Sequence, residues 1–345
     1  MLGYPLWACL SLLYHHGPEV AIESGGIFLV EAFGAYMLGR CLVCSERDFR
    51  ALSQFIVITV LIVGIFAVAE SLTGIQLIRK AFASIFGGSS SGGPSPRYGF
   101  HRAYAGFDHP ILYGIFASSA VGLAWYTYDN HNHITVRKVM RTIAILIATL
   151  ASVSSGALAA AAIQVLLIIW DHSTRAFRGR WWILTTVIFV TYSIIDILSN
   201  RSGMAVLLSY LTFNMHTAYV RMLIWEWGFY GNVLPNPIFG IGFNEWIRPS
   251  WLSASVDNFW LVTMMMYGLP AFGMLAGAAL LRLNATCNLL SRANPAVIGW
   301  LTTIIGLFVS GCTVHYWNSA FVWFCMLIGC TAWITSPIPA KAFKL

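Results

Sequence analysis

Residues 199–261 read SNRSGMAVLLSYLTFNMHTAYVRMLIWEWGFYGNVLPNPIFGIGFNEWIRPSWLSASVDNFWL. This is the one long stretch that is neither a span-length apolar run nor a basic loop. It carries Arg201, Arg221 and Arg248, the carboxylates Glu226, Glu245 and Asp257, and Trp225, Trp227, Trp246, Trp251 and Trp260. On both sides the chain is a succession of apolar runs. The contrast decides the fold class: all-α, a polytopic transmembrane helix bundle that frames a large helical segment outside the bilayer.

The composition agrees. Of 345 residues, 58% are hydrophobic and 10% charged, with mean hydropathy +0.72; a soluble domain has about 25% charged residues. A helix needs about 20 apolar residues to cross a bilayer. Ten candidate spans follow: 2–15, 26–44, 51–72, 110–127, 138–153, 156–171, 181–199, 266–284, 296–314 and 318–336. Together they predict one integral membrane domain over 1–345. The start, MLGYPLWACLSLLYHH, has no basic n-region and no cleavage signal, so it reads as a short span and not as a signal peptide. The run 203–211 is too short to cross and reads as a surface helix. Cys41 and Cys44 form a CxxC without a nearby His or second pair, which reads as free thiols.

Arg and Lys set the orientation. If the spans alternate, Arg40, Arg47, Arg50, Arg137, Lys138, Arg141, Arg175, Arg178, Arg180, Arg282, Arg292, Lys341 and Lys344 share one side, which the positive-inside rule makes cytoplasmic. The other seven basic residues lie in only two segments, the loop 73–109 and the segment 199–265. The remaining outer loops, 16–25, 152–156 and 315–317, have none. Positive charge placed against the rule, and gathered in two places, points to an anionic ligand at the outer face.

Within 73–109, GGSSSGGPSP (87–96) has no apolar periodicity and reads as a linker. RYGFHRAYAGFDHP (97–110) follows, with Asp108 and His109 expected at the N-terminus of a helix that opens on Pro110. Glu31 lies inside a span. Glu70 and Asp196 lie near outer ends and are expected to reach water. In the later segment, 212–228 reads as one helix with Arg221 and Trp225 a turn apart on one face. PNPIFGIG (235–242) predicts a tight backbone path. Ser255 is the N-cap candidate for the helix that follows. No Walker loop, HExxH, GxSxG or dinucleotide fingerprint is present.

In order, the chain shows RAYAGFDHP (102–110), SNRSG (199–203), Arg221-x-x-x-Trp225, PIFGIG (237–242), DNFWL (257–261) and Gly268-Leu269-Pro270. This series, over about residues 97–336, resembles the O-antigen ligase and O-antigen/exopolysaccharide polymerase superfamily. The resemblance implies a multi-pass enzyme of the bacterial inner membrane with its active site facing the periplasm. The enzyme would move a glycan from an undecaprenyl diphosphate carrier to a saccharide acceptor, with no cofactor and no required metal. The partners would be the lipid-linked donor, a glycan or lipid-linked acceptor and membrane lipid, not nucleic acid. Members commonly carry a His where this chain has Asp257, and more spans.

The chemistry of the residues agrees with that expectation. Arg guanidinium binds phosphate bidentately and stays charged. Fixed arginines can therefore stabilise a departing diphosphate, while a carboxylate takes the acceptor proton. The candidate catalytic residues are Asp257 and Arg221. The candidate substrate-binding residues are Arg102, His109, Arg201, Arg248, Asn258 and Trp225. A transporter or flippase of lipid-linked glycan is the alternative; Glu31 and Asp196 would then be its working groups.

Overall fold

The structure, a computed structural model, describes residues 1–87, 96–128, 134–177, 179–200, 206, 215–290, 294–331 and 334. Among these residues the regular secondary structure is helical, apart from one isolated bridge between Arg97 and Phe100; turns and loops join the helices. The helices are α1 (Gly3–Leu29), α2 (Ala35–Leu42), α3 (Glu46–Thr73), α4 (Leu77–Phe86), α5 (Pro110–Tyr126), α6 (Val136–Leu150) and α7 (Ser155–Ser173). They continue with α8 (Arg180–Leu198), α9 (Met215–Gly228), α10 (Phe259–Leu290), α11 (Pro295–Ser310) and α12 (Asn318–Gly329). Wider π-type turns, Val30–Gly34 and Phe229–Val233, extend α1 and α9.

Among the described residues, five helices are long and apolar enough to cross a membrane: Gly3–Leu42, Glu46–Thr73, Ser155–Ser173, Arg180–Leu198 and Phe259–Leu283. Shorter apolar helices are α5, α11 and α12. Large side chains on their outer faces are bare, among them Phe55, Ile65, Phe189 and Ile197. A soluble protein would hide such surface, whereas lipid covers it.

Two of the long helices are broken. Tyr4 and Phe28 touch edge to face at 5.2 Å, yet 24 residues of straight helix would hold them about 36 Å apart. The chain therefore turns back at Gly17, whose φ of 80° suits a residue without a Cβ, and Pro18 starts the second arm. The expected outer loop 16–25 is accordingly helical from Pro18 onward. Its polar residues Glu19 and Glu23 stay exposed and do not break the helix. In α10 the break is at Gly268 (φ 82°), beside Pro270; a Cβ there would run into the Ile238 carbonyl. The rings of Trp260 and Phe272 meet at 6.0 Å across this bend.

The predicted starts and stops follow the local chemistry with small shifts. Ser45 caps α3, Thr135 caps α6 and Asn294 caps α11, each accepting a backbone N–H. The helix expected after Ser255 begins at Phe259 and continues through the Gly268 bend into the next apolar run, so both are one element, α10, and its cap is Asn258, not Ser255. The Asn258 Oδ1 accepts from the Leu261 N–H at 2.9 Å, and its amide donates to the Cys312 carbonyl at 3.0 Å.

At the centre stands α5, with all but three of its seventeen residues buried. Small residues let α6, α7 and α11 close on it; at Gly122 a Cβ would strike Thr302. Fully buried Gln164 ties α7 to α5, accepting from Gly122 N–H at 3.0 Å and donating to the Ser118 carbonyl at 2.8 Å.

The ends of α3, α6, α11 and the start of α5 and α7 gather at one end of the bundle, the site end. There Glu70, expected at the surface, is 3% exposed. Its two oxygens accept from the Tyr104 and Ala105 N–H groups, each at 3.0 Å. His101 N–H donates to the Ser71 carbonyl and Ala103 N–H to the Ala151 carbonyl. The loop bearing Arg102 is thus stitched to α3 and α6. Glu70→Gln leaves one acceptor where two are used, and hydrogen bonds to charged groups contribute about 1.5–3 kcal/mol each. The expected result is markedly faster hydrogen exchange at the Tyr104 and Ala105 amides; exchange at the wild-type rate would refute this role.

Candidate functional site

Two cavities meet at the site end. One, of about 410 Å³, is polar, with Arg97, Arg102, Arg221, Ser154, Ser155 and Asp257 among its walls. The other, of about 540 Å³, is mostly apolar and runs between α9 and α10, past Trp225, Met264, Phe272 and Phe308. Arg221 and Asp257 line both.

The segment after α9 brings these two residues together. Asn232, 1% exposed, donates to the Trp227 and Ile247 carbonyls and accepts from the Ile247 N–H at 2.8 Å. Ile224, Val233, Trp246, Leu252, Leu261 and Met264 form a small second core around it. Next, the predicted tight path 235–243 wedges between α1 and α10. Gly240 and Gly242 have φ of 63° and 60°. Trp7 donates to the Ile238 carbonyl, Ser11 to the Phe239 carbonyl, and His16 Nε2 accepts from the Phe243 N–H at 2.8 Å. Asp257 follows directly before the α10 cap. Among the described residues its side chain has one hydrogen bond, accepted from the Ser255 hydroxyl at 3.3 Å.

Among the described residues, Arg102 and Arg221 make no ion pair. Arg102 is 7% exposed, and its Nε and Nη2 are buried without a partner; so are Nε and Nη1 of Arg221. Burial, and then Arg97 beside it, push the Arg102 guanidinium down to about 10. Burial also lowers Arg221, against the pull of Asp257. Both remain cations at neutral pH. A buried charge without a counter-ion costs several kcal/mol, and an unsatisfied buried donor asks for a missing partner. An anion in the polar cavity would satisfy the donors and reverse both shifts. The N-terminus of α7 adds to the same field: Ser154 makes no side-chain cap there and lines the cavity.

Two histidines border the site and are held neutral. His109 caps α5, its Nδ1 accepting from the Ile111 N–H at 3.2 Å. Burial, and then Arg102, lower its pKa. His315 stacks on Trp317 at 5.7 Å, and burial pushes it down to about 4. Among the described residues no group of three His, Cys, Asp or Glu side chains stands ready to hold a metal ion.

Of the residues expected at the site, Arg102, Arg221 and Asp257 line the polar cavity, and Trp225 and Asn258 line the apolar one. Trp225 also stacks on Phe229 at 5.7 Å. Arg248 is engaged elsewhere. It pairs with Glu245 at 2.8 Å, donates to the Leu252 carbonyl at 3.1 Å and lies 5.6 Å from the Trp246 ring centre. Arg201 and most of 203–211 lie outside the described residues. Sequence reasoning missed Arg97, five residues before Arg102, and the α7 N-terminus, although SVSSG before an apolar run is a cap signal. No protein-family model matches the chain, and no curated protein matches it.

Proposed function

We propose that the chain is a membrane glycosyltransferase of the O-antigen ligase/polymerase type. In this reading it moves a glycan from an undecaprenyl diphosphate carrier to a saccharide acceptor at the periplasmic face of the bacterial inner membrane, in lipopolysaccharide or exopolysaccharide assembly. The observation that carries the reading is a pair of guanidinium groups, Arg102 buried and Arg221 half-buried, each with two buried nitrogens that have no partner among the described residues, in a polar cavity that opens past a carboxylate into an apolar one. That combination suits an anionic headgroup on a long apolar chain better than a free anion or a neutral lipid. The two arms of α1–α2, with α3, α5, α6, α7, α8, α10, α11 and α12, would make ten crossings.

In the reaction the acceptor hydroxyl oxygen attacks the anomeric carbon of the donor. The bond from that carbon to the phosphate oxygen breaks, and its electron pair leaves with the lipid diphosphate. Asp257 takes the hydroxyl proton. Arg102 and Arg221, with Arg97 at the rim, neutralise the charge that grows on the leaving group.

The test uses purified full-length protein, an undecaprenyl diphosphate-linked glycan and candidate acceptors, with EDTA present. The expected result is transfer by wild type in EDTA and a loss of about 10²-fold in Arg102→Ala, the size typical of one lost stabilising donor. No transfer with any acceptor, with or without divalent cations, would remove the reading and direct attention to lipid-linked glycan transport.

A further inference from the structure

The helix α4 has no part in the mechanism above, and none of its ten residues is buried. It is about 15 Å long, half of what a bilayer core of about 30 Å demands, so it cannot cross. At about 3.6 residues per turn, Leu77, Ala81, Phe82, Ile85 and Phe86 fall on one half of the helix. Phe82 is 61% exposed, Ile85 73% and Phe86 75%. The two phenyl rings stack on each other at 5.9 Å. Large apolar side chains gathered on a bare face ask for a cover.

The neighbouring residues indicate which cover. Leu72, in the last turn of α3, and Ile75, in the turn that follows, are exposed too. The bare apolar surface thus runs on from a span-length helix into α4. Residues 71–87 contain two cations, Arg79 and Lys80, and no carboxylate, and Lys80 is exposed. Phosphate headgroups complement that charge, and acyl chains complement the rings. A second protein chain fits less well. A face about 15 Å by about 10 Å falls well short of the about 800 Å² per partner that a stable protein contact buries.

The first turn of α4 rests on the loop that carries Arg102, and the later turns hold the bare rings. Arg79 Nη2 donates to the Phe107 carbonyl at 2.7 Å, and its guanidinium lies 4.3 Å from the centre of the Tyr104 ring. The Ile78 side chain lies over Gly106, within 3.2 Å of where a Cβ would stand. All three contacts fall on the turn 104–107, which begins two residues after Arg102.

We propose that α4 is an interfacial anchor. Its apolar face lies in the phospholipid leaflet at the site end, with the rings among the chains and Lys80 among the phosphates. Through Arg79 it holds the turn 104–107, and with it Arg102, in register with the leaflet surface. The partner is the phospholipid leaflet itself, and the inference does not depend on the transfer reading. Arg79 is a positioning residue here, because it touches the loop and not the cavity.

The test uses full-length protein in nanodiscs of phosphatidylethanolamine and phosphatidylglycerol. Phe82 or Phe86 is replaced by the photoreactive p-benzoylphenylalanine, and irradiation should join it to phospholipid. Cross-links to a second copy of the chain alone, or no lipid adduct at either position, would overturn the anchor. Hydrogen exchange then reads the coupling. Phe82→Gln/Phe86→Gln keeps residues that form helix well and should speed exchange at least about tenfold in both α4 and residues 103–108, as local opening becomes easier. Arg79→Gln should keep the lipid adduct and speed exchange in 103–108 alone. Wild-type exchange of α4 in the double variant would remove the anchor, and wild-type exchange of 103–108 in both variants would remove the coupling. Faster exchange spread equally into α5, which neither variant touches, would mean a general loss of packing and would also count against the coupling.

Discussion

Asp257→Asn is expected to lower glycan transfer by about 10²- to 10⁴-fold at neutral pH, the range of a lost general base, while donor binding persists. The substitution keeps the shape of the side chain and its bond from Ser255, but the amide cannot take up a proton. Asp257 is also the carboxylate that lines both the polar and the apolar cavity beside Arg221. A proton released at the boundary between headgroup and chain therefore has it close at hand. The check is a single-turnover rate with saturating donor, with lipid binding measured in parallel. Transfer at the wild-type rate would take the base role from Asp257 and direct the search to His109, which burial and Arg102 keep neutral at the same site.

Arg221→Ala should cost about 10²- to 10³-fold in turnover, the usual loss when one fixed donor to a developing charge is removed. Arg221 is placed for this by two features: α9 presents it at the mouth shared by both cavities, and its Nε and Nη1 have no protein partner to give up. Arg221→Lys is expected to recover little, because an ammonium cannot donate in the planar, two-pronged manner of guanidinium. Steady-state measurement should show the loss mainly in kcat, since in the proposed reaction the interaction would strengthen as the diphosphate departs. Full activity in Arg221→Ala would mean that the unpaired guanidinium serves the stability of α9 alone.

The helical frame, the breaker path 235–242, the start of α5 at His109 and Pro110, and the pairing of Arg221 with Trp225 on one face could all be read along the chain. They rest on local chemistry, such as an apolar run, a proline at a first turn or glycines with positive φ. The rest depends on residues far apart in sequence. Glu70 looked like a carboxylate near a helix end, and only the loop laid across it from residues 101–105 buries it. Arg248 looked equivalent to Arg221 until Glu245, three residues away, took its charge. Gly17 was hidden because Glu19 and Glu23 dilute the apolar run that follows, although both are comfortable on an exposed helical face. Arg97 gained its place from the fold of its loop, not from its neighbours in sequence.

The wedge 235–243 also fixes an order of assembly. Its carbonyls and amides are held by Trp7, Ser11, His15 and His16, more than 220 residues earlier in the chain. As the ribosome delivers the protein, the first hairpin is made long before its partner exists. Its indole and hydroxyl donors must wait through the insertion of α3 to α8. Contacts this distant in sequence close late and slowly. The chamber that Arg221 and Asp257 share is therefore among the last parts of the molecule to be completed, and a half-made chain has no working chamber to expose to lipid.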